Sequence, residues 1–279
     1  MDSVYEGICK GDYGRNRYIC TQTHQDCLIF GSSRSIHHLD PVLLADSLGM
    51  TCYNCGDDGM GIVAMYGRYQ LIRERYIPKV IIYDVVSSFD LLQDDKTKYI
   101  GGLRFYAENP KICQLINEVD PTEQFKMLAR TYKYNGRFID MGIQYLSKDP
   151  LLSADYTYAP LKGTMTYEVE YPAYNSASRV DSLKLSLLNT LIKSCQEDGT
   201  LLVFTISPWY AATHDLEYKP LKQLCESYGV PLLNHLQDTS FIWKKQCFKD
   251  SSHLNEEGAE SFSKIVSAEI KSIYCEKEK

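Results

Sequence analysis

Short apolar runs that alternate with amphipathic stretches constrain this chain more than any other feature. The runs are Cys27 to Phe30, Thr51 to Asn54, Val80 to Val86, Leu201 to Ile206 and a shorter one around Pro231 to Leu233. Between them apolar residues recur at helical spacing, as in Ile62, Met65, Tyr66, Tyr69, Ile72 and Tyr76, where Pro78 marks the stop. Nearly continuous apolar strands separated by helices are the pattern of a parallel sheet covered on both faces. The expected fold is therefore a three-layer α/β/α domain with a doubly wound, five-stranded parallel sheet in flavodoxin-like order.

Local signals place several helix ends. Asp40 is a candidate N-cap, Pro41 follows it in the first turn, and Gly49 stands just past the end. A second helix buries Leu183, Leu187, Leu188, Leu191 and Cys195 and stops at Gly199, and a third runs near Leu216 to Tyr228. The last is capped by Asn255, with Phe262, Ile265, Val266, Ile270 and Ile273 as its inner stripe. After Asp90 the rhythm is lost. Residues 91–179 are polar, punctuated by Gly101-Gly102, Asn109-Pro110, Asp149-Pro150 and Ala159-Pro160, and carry ten of the 22 tyrosines. The whole chain, 1–279, reads as one domain, with 91–179 inserted after strand three as a lid or substrate-binding subregion.

Composition removes several function classes. With 44% hydrophobic and 24% charged residues and a net charge of −6, the chain can bury an ordinary core and has no basic track for nucleic acid. No apolar run is long enough to cross a bilayer, and the first 26 residues have no signal-like apolar core. The chain is expected to be soluble and without membrane contact, cytoplasmic by default, or extracytoplasmic if an N-terminal anchor has been trimmed. The ten cysteines are irregularly spaced and read as free thiols. Cys52-x-x-Cys55 lies on a strand, where positions three apart face opposite ways, and no second pair completes a zinc site. Neither a metal nor a cofactor is implied.

Two segments carry chemistry. Near the C-terminus, Asp250 stands three residues before His253 at the mouth of the final helix; near the N-terminus, strand one breaks into Gly31-Ser32-Ser33-Arg34. Loops leaving the carboxyl ends of parallel strands share one edge, so a serine and a histidine far apart in sequence can meet there. A serine hydroxyl needs a base to become a nucleophile, a neutral imidazole can supply it, and a carboxylate orients the imidazolium. Each segment also has a plainer reading, as an ordinary turn and as a solvated helix entry. His37-His38 would be expected to face opposite ways on a short turn before a helix, and Arg34 to form an ordinary ion pair.

Together these blocks resemble the SGNH (GDSL-type) hydrolases. The first block corresponds to Gly31-Ser32-Ser33, with Ser32 where an aspartate is usual. The second matches Asn54-Cys-Gly-Asp-Asp-Gly59, and the third falls on Val80 to Phe89, with Ser88 in place of an asparagine. The last is met in full by Asp250, His253, Leu254, Asn255, Gly258 and Ala259. The resemblance implies Ser33 as nucleophile, His253 as base and Asp250 as its orienting acid. It also implies an oxyanion hole from the N–H groups of Ser33 and Gly59 and the side chain of Ser88, with Asn54 as an alternative donor. The expected activity is hydrolysis or transfer of ester-linked acyl groups, with O-acetyl on carbohydrate among the candidates and a small-molecule or carbohydrate ester as partner. Two other readings stand beside it: a weak or inactive carbohydrate-binding module, motivated by Ser32 and Ser88, and a lipase or thioesterase.

Overall fold

A computed structural model describes residues 2–9, 11–94, 98–129, 131–135, 137–146 and 157–277. Its centre is one sheet of β1 (Cys27–Gly31), β2 (Cys52–Asn54), β3 (Val80–Asp84), β4 (Leu201–Ile206) and β5 (Leu232–Asn234). All four pairings are parallel and the order is β2-β1-β3-β4-β5, the doubly wound arrangement expected from the sequence.

Side chains alternate between the two faces of these strands, so each strand feeds two cores. Leu28, Phe30, Ile81, Tyr83, Leu202 and Phe204 meet α5 (Ile62–Arg73), α10 (Ser182–Asp198) and α11 (Lys219–Tyr228) on one side. Cys27, Ile29, Val80, Ile82 and Val203 meet α4 (Pro41–Leu48) and α12 (Glu256–Lys277) on the other. Burial on both faces is why β1, β3 and β4 have no polar alternation.

Helix ends follow the local chemistry. Asp40 accepts from the Val42 N–H, Pro41 opens α4, and Gly49 closes it at φ 67°. Asp181 caps α10 by accepting from Leu183 and Lys184, and Asn255 Oδ1 accepts from the Gly258 N–H at the start of α12. Gly258 tolerates no side chain, because a Cβ there would lie 2.1 Å from the Cys247 carbonyl oxygen.

Three regions depart from the sequence reading. The N-terminal residues form α1 (Asp2–Gly7) and α2 (Gly11–Thr21); α2 escapes pattern reading because its buried positions include Arg15 and Asn16. Residues 33–38 are a helix, α3 (Ser33–His38), rather than a turn. The stretch after β3 is not without rhythm, since α6 (Ser87–Asp90) is followed by α7 (Pro110–Val119), α8 (Glu123–Met127) and α9 (Phe138–Leu146). Asn109-Pro110 looked like punctuation. It is instead a helix start, with the Asn109 side chain accepting from Lys111 and Ile112 and Pro110 in the first turn. Asp149-Pro150 lies outside the described residues.

The described parts of 91–179 do two things. Residues 99–146 pack beside α1, α2 and α5, where Tyr134 joins Tyr5 and Ile8 in a small core of their own. Residues 157–172 run along the carboxyl edge of the sheet. There the Ala159 N–H donates to Ile36, the Glu256 N–H to Leu161 and the Met165 N–H to Phe248.

Candidate active site

Gly31 ends β1 at φ 138°, in backbone space that disfavours side chains, and a Cβ there would lie 2.5 Å from the Asp84 carbonyl oxygen. This turn delivers Ser33 to the first position of α3, where its side chain is partly exposed at the carboxyl edge. Neighbouring Ser32 is fully buried, and its hydroxyl has no hydrogen-bond partner among the described residues.

The second half of the site comes from the loop between β5 and α12. Lys249 N–H donates to the His253 carbonyl at 2.9 Å, and Asp250 Oδ1 accepts from the N–H groups of Ser252 (2.9 Å) and His253 (3.0 Å). His253 Nδ1 lies 3.0 Å from each Asp250 oxygen, and His253 Nε2 lies 2.9 Å from Ser33 Oγ. A carboxylate only accepts, so the ring proton belongs on Nδ1 and Nε2 is left to accept from the Ser33 hydroxyl. Burial acts to raise the Asp250 pKa, but hydrogen bonds from His253 and Ser252 outweigh it and hold the carboxyl well below the usual range. The structure therefore brings together Ser33, His253 and Asp250, which are separated by as many as 220 positions in sequence.

Gly59 lies at the exposed apex of the β2–α5 loop, at φ 70°. Neither its N–H nor that of Ser33 has a hydrogen-bond partner among the described residues. Asn54 is not available to an oxyanion. Its Nδ2 donates to Ser35 (2.7 Å) and Leu39 (2.9 Å), and its Oδ1 accepts from Gly56 (2.9 Å), so it ties the loop to α3. Ser88 sits on α6 with an exposed side chain, while its carbonyl accepts from Lys184 Nζ. The next residue, Phe89, abuts Gly61 at the start of α5.

Four residues that shape the site carry no sequence signal of their own. Arg15 donates to the carbonyls of Asn54 and Gly56, and Arg68 donates to the Cys55 carbonyl and pairs with Asp57 at 2.7 Å, so two buried guanidinium groups clamp the β2–α5 loop. His37 and His38, expected to point apart on a turn, both lie on α3 with ring centroids 5.9 and 6.0 Å from His253. His38 Nε2 accepts from the Leu254 N–H; burial, then the nearby positive groups, depress its pKa strongly, so it works as a neutral acceptor under the catalytic loop. His37 bridges the Ala159 carbonyl and the Asp58 carboxylate. Burial opposes its protonation, yet these two acceptors prevail and raise its pKa.

Arg34 corrects a further expectation. It is buried without an ion pair among the described residues, lies 4.9 Å from the Trp209 ring, and makes 3.4 Å contacts with the Ser207 carbonyl and the Tyr218 hydroxyl. All ten cysteines are free thiols, and no cluster of metal-binding side chains occurs among the described residues.

Strand order, a serine at the β1 turn and an Asp-x-x-His loop before the last helix now lie on one sheet edge. This is the arrangement that the sequence resemblance to SGNH (GDSL-type) hydrolases implies. Among solved structures the chain is similar to a G-D-S-L family protein from Desulfitobacterium hafniense DCB-2, at 9% identity over 87% of this chain and 98% of that one, with a TM-score of 0.44. It is also similar to the esterase EstA from a Pseudoalteromonas species, at 12% identity over 88% and 96% of the two chains and a TM-score of 0.45. A third is the acetyl xylan esterase AlAXEase, at 12% identity over 88% and 98% and a TM-score of 0.42. No protein-family model matches the sequence, and no curated protein matches it significantly. At these identities and TM-scores the likeness says nothing of activity or substrate.

Proposed function

We propose that the chain is a serine esterase or O-acyltransferase that works through an acyl-Ser33 intermediate. The observation that carries this reading is the unbroken line of hydrogen bonds from Ser33 Oγ through His253 to Asp250, at 2.9 and 3.0 Å. In the first step His253 Nε2 takes the Ser33 proton as Oγ attacks the ester carbonyl, and Asp250 stabilises the imidazolium that forms. The oxyanion is met by the N–H groups of Ser33 and Gly59, with the Ser88 hydroxyl as third donor. His253 then returns the proton to the departing alcohol. Water or a sugar hydroxyl, activated by the same imidazole, releases the acyl group. O-acetyl groups on carbohydrate are the favoured substrates, because the cavity beyond Gly59 is lined by polar and aromatic residues such as Asp12, Tyr13 and Tyr99.

The test is covalent labelling. A fluorophosphonate probe should add one adduct, mapped to the peptide carrying Ser33, and the same preparation should hydrolyse p-nitrophenyl acetate. Absence of both label and hydrolysis, in protein shown to be folded, rejects the enzyme reading in favour of a binding module.

A further inference from the structure

The β2–α5 loop has a second side. Toward the triad, the Asp57 N–H donates to the Gly31 carbonyl at 3.1 Å and Asp58 reaches His37 at 3.0 Å. Away from it, Asp57 to Met60 form one wall of a cavity of about 790 Å³. The other walls come from Asp12 and Tyr13 on α2, Tyr99, and Asp140 on α9. That volume lies within the range of sites that enclose a small organic ligand, roughly 300–1,000 Å³. Gly59 itself lines this cavity, so an ester whose carbonyl oxygen sits at the Gly59 N–H has the cavity beside it.

The lining is that of a polyol site rather than an acyl groove. Asp12 and Asp140 have no hydrogen-bond partner among the described residues, and neither does the Tyr13 hydroxyl. The Tyr99 ring is 43% exposed while its hydroxyl accepts from Arg137, which fixes an aromatic face at the rim. Free carboxylates that accept from hydroxyl groups, with aromatic faces for the apolar side of a ring, suit a sugar and oppose burial of an alkyl chain. Charge narrows the class further. Arg68 is already paired with Asp57, and Asp12 and Asp140 outnumber the one guanidinium left, that of Arg137, whose partners Tyr99 and the Gly101 carbonyl are neutral, so the cavity stays acidic. Burial and the neighbouring Asp57 raise the Asp12 pKa, as expected of a carboxyl held among like charges.

We propose that this cavity is a subsite for a neutral or amino-bearing sugar ring of the ester substrate, and that it excludes uronates and sugar phosphates. The proposal rests on the esterase reading for its biological sense, but its test does not. Ser33→Ala protein would be titrated by calorimetry with a panel of neutral, amino-bearing and uronate tetrasaccharides, which separates binding from turnover. At least one neutral or amino-bearing member should bind with a Kd below about 5 mM, roughly −3 kcal/mol, and the uronates should not. Adding Asp12→Asn or Tyr13→Ala should weaken that binding at least tenfold. If either variant fails to fold, Asp140→Asn, on the exposed side of α9, replaces it. Absence of binding across the panel, preference for uronates, or binding indifferent to all three substitutions overturns the subsite. Loss of p-nitrophenyl acetate hydrolysis in wild type, with sugar binding intact, would instead remove the esterase reading and leave the subsite standing.

Discussion

Replacement of Asp250 by asparagine separates orientation of the base from the fold of its loop. Asp250 Oδ1 accepts from the N–H groups of Ser252 and His253 at 2.9 and 3.0 Å, and an asparagine oxygen keeps both bonds. The amide nitrogen then occupies the place of Oδ2, 3.0 Å from His253 Nδ1, where donor faces donor, while Oδ1, equally 3.0 Å away, keeps its neutral lone pair for the ring proton but loses the carboxylate charge. In the share of molecules where the ring avoids the amide by moving its proton to Nε2, that nitrogen, 2.9 Å from Ser33 Oγ, can no longer accept the serine proton. A wrong tautomer of this kind in a serine protease lowers turnover by about 10⁴. Here the loss should be smaller, because the asparagine Oδ1 and Ser252 Oγ both lie 3.0 Å from Nδ1 and can accept its proton in place of the carboxylate. The side chain of Asp250 is also 40% exposed, so water can share that role. We expect acylation by p-nitrophenyl acetate, measured under single-turnover conditions, to fall about 10²–10³-fold, or roughly 3–4 kcal/mol in the barrier. Removing Ser252 Oγ as well, in Asp250→Asn with Ser252→Ala, should bring the loss near 10⁴, while Ser33→Ala and His253→Ala remain lower than either. Stability should change by less than about 1 kcal/mol, since the loop bonds survive. An Asp250→Asn rate within threefold of wild type would refute the argument, because another group would then have to orient His253.

Ser32→Ala removes a buried hydroxyl that has no partner among the described residues, so stability should rise by about 1 kcal/mol while esterase activity stays within a few-fold of wild type; a lower urea midpoint would mean that the hydroxyl is satisfied in solution. Gly31→Ala combines a positive φ with a Cβ 2.5 Å from the Asp84 carbonyl oxygen, and should cost on the order of 2–5 kcal/mol and displace Ser33. An unchanged melting temperature would contradict it. Burial pushes the Asp90 carboxyl up to about 7, against hydrogen bonds from the Val86 N–H and the Tyr83 hydroxyl. The folded state therefore holds this proton more tightly than the unfolded chain. The stability it contributes is complete below about pH 4 and is lost as pH rises through about 7, at up to about 1.4 kcal/mol per unit. Urea unfolding across pH 4.5–8 should show wild type losing stability relative to Asp90→Asn, and parallel profiles would exclude Asp90 as the source.

Much of the scaffold was legible in the sequence because its signals are local. Strand positions followed from apolar runs buried on both faces. The ends of α4, α10 and α12 followed from Asp40, Gly49, Gly199 and Asn255, whose capping chemistry involves only near neighbours. The Asp250–His253 spacing was equally local, since both groups sit on one short loop and bond to each other. What lay beyond reach depended on partners distant in the chain. Arg15 and Arg68 stand out in no local pattern, and only burial turns them on the carbonyls of the β2–α5 loop. His37 and His38 carry no pattern of their own and acquire one only when α3 meets Asp58, Ala159 and the Leu254 amide. Arg34, expected in an ion pair, stacks on Trp209 instead. Periodicity and capping are written residue by residue, so the sequence determined where the sheet and its main helices lie. Which charged groups are withdrawn from water, and what they must then bond, is decided only when the layers close.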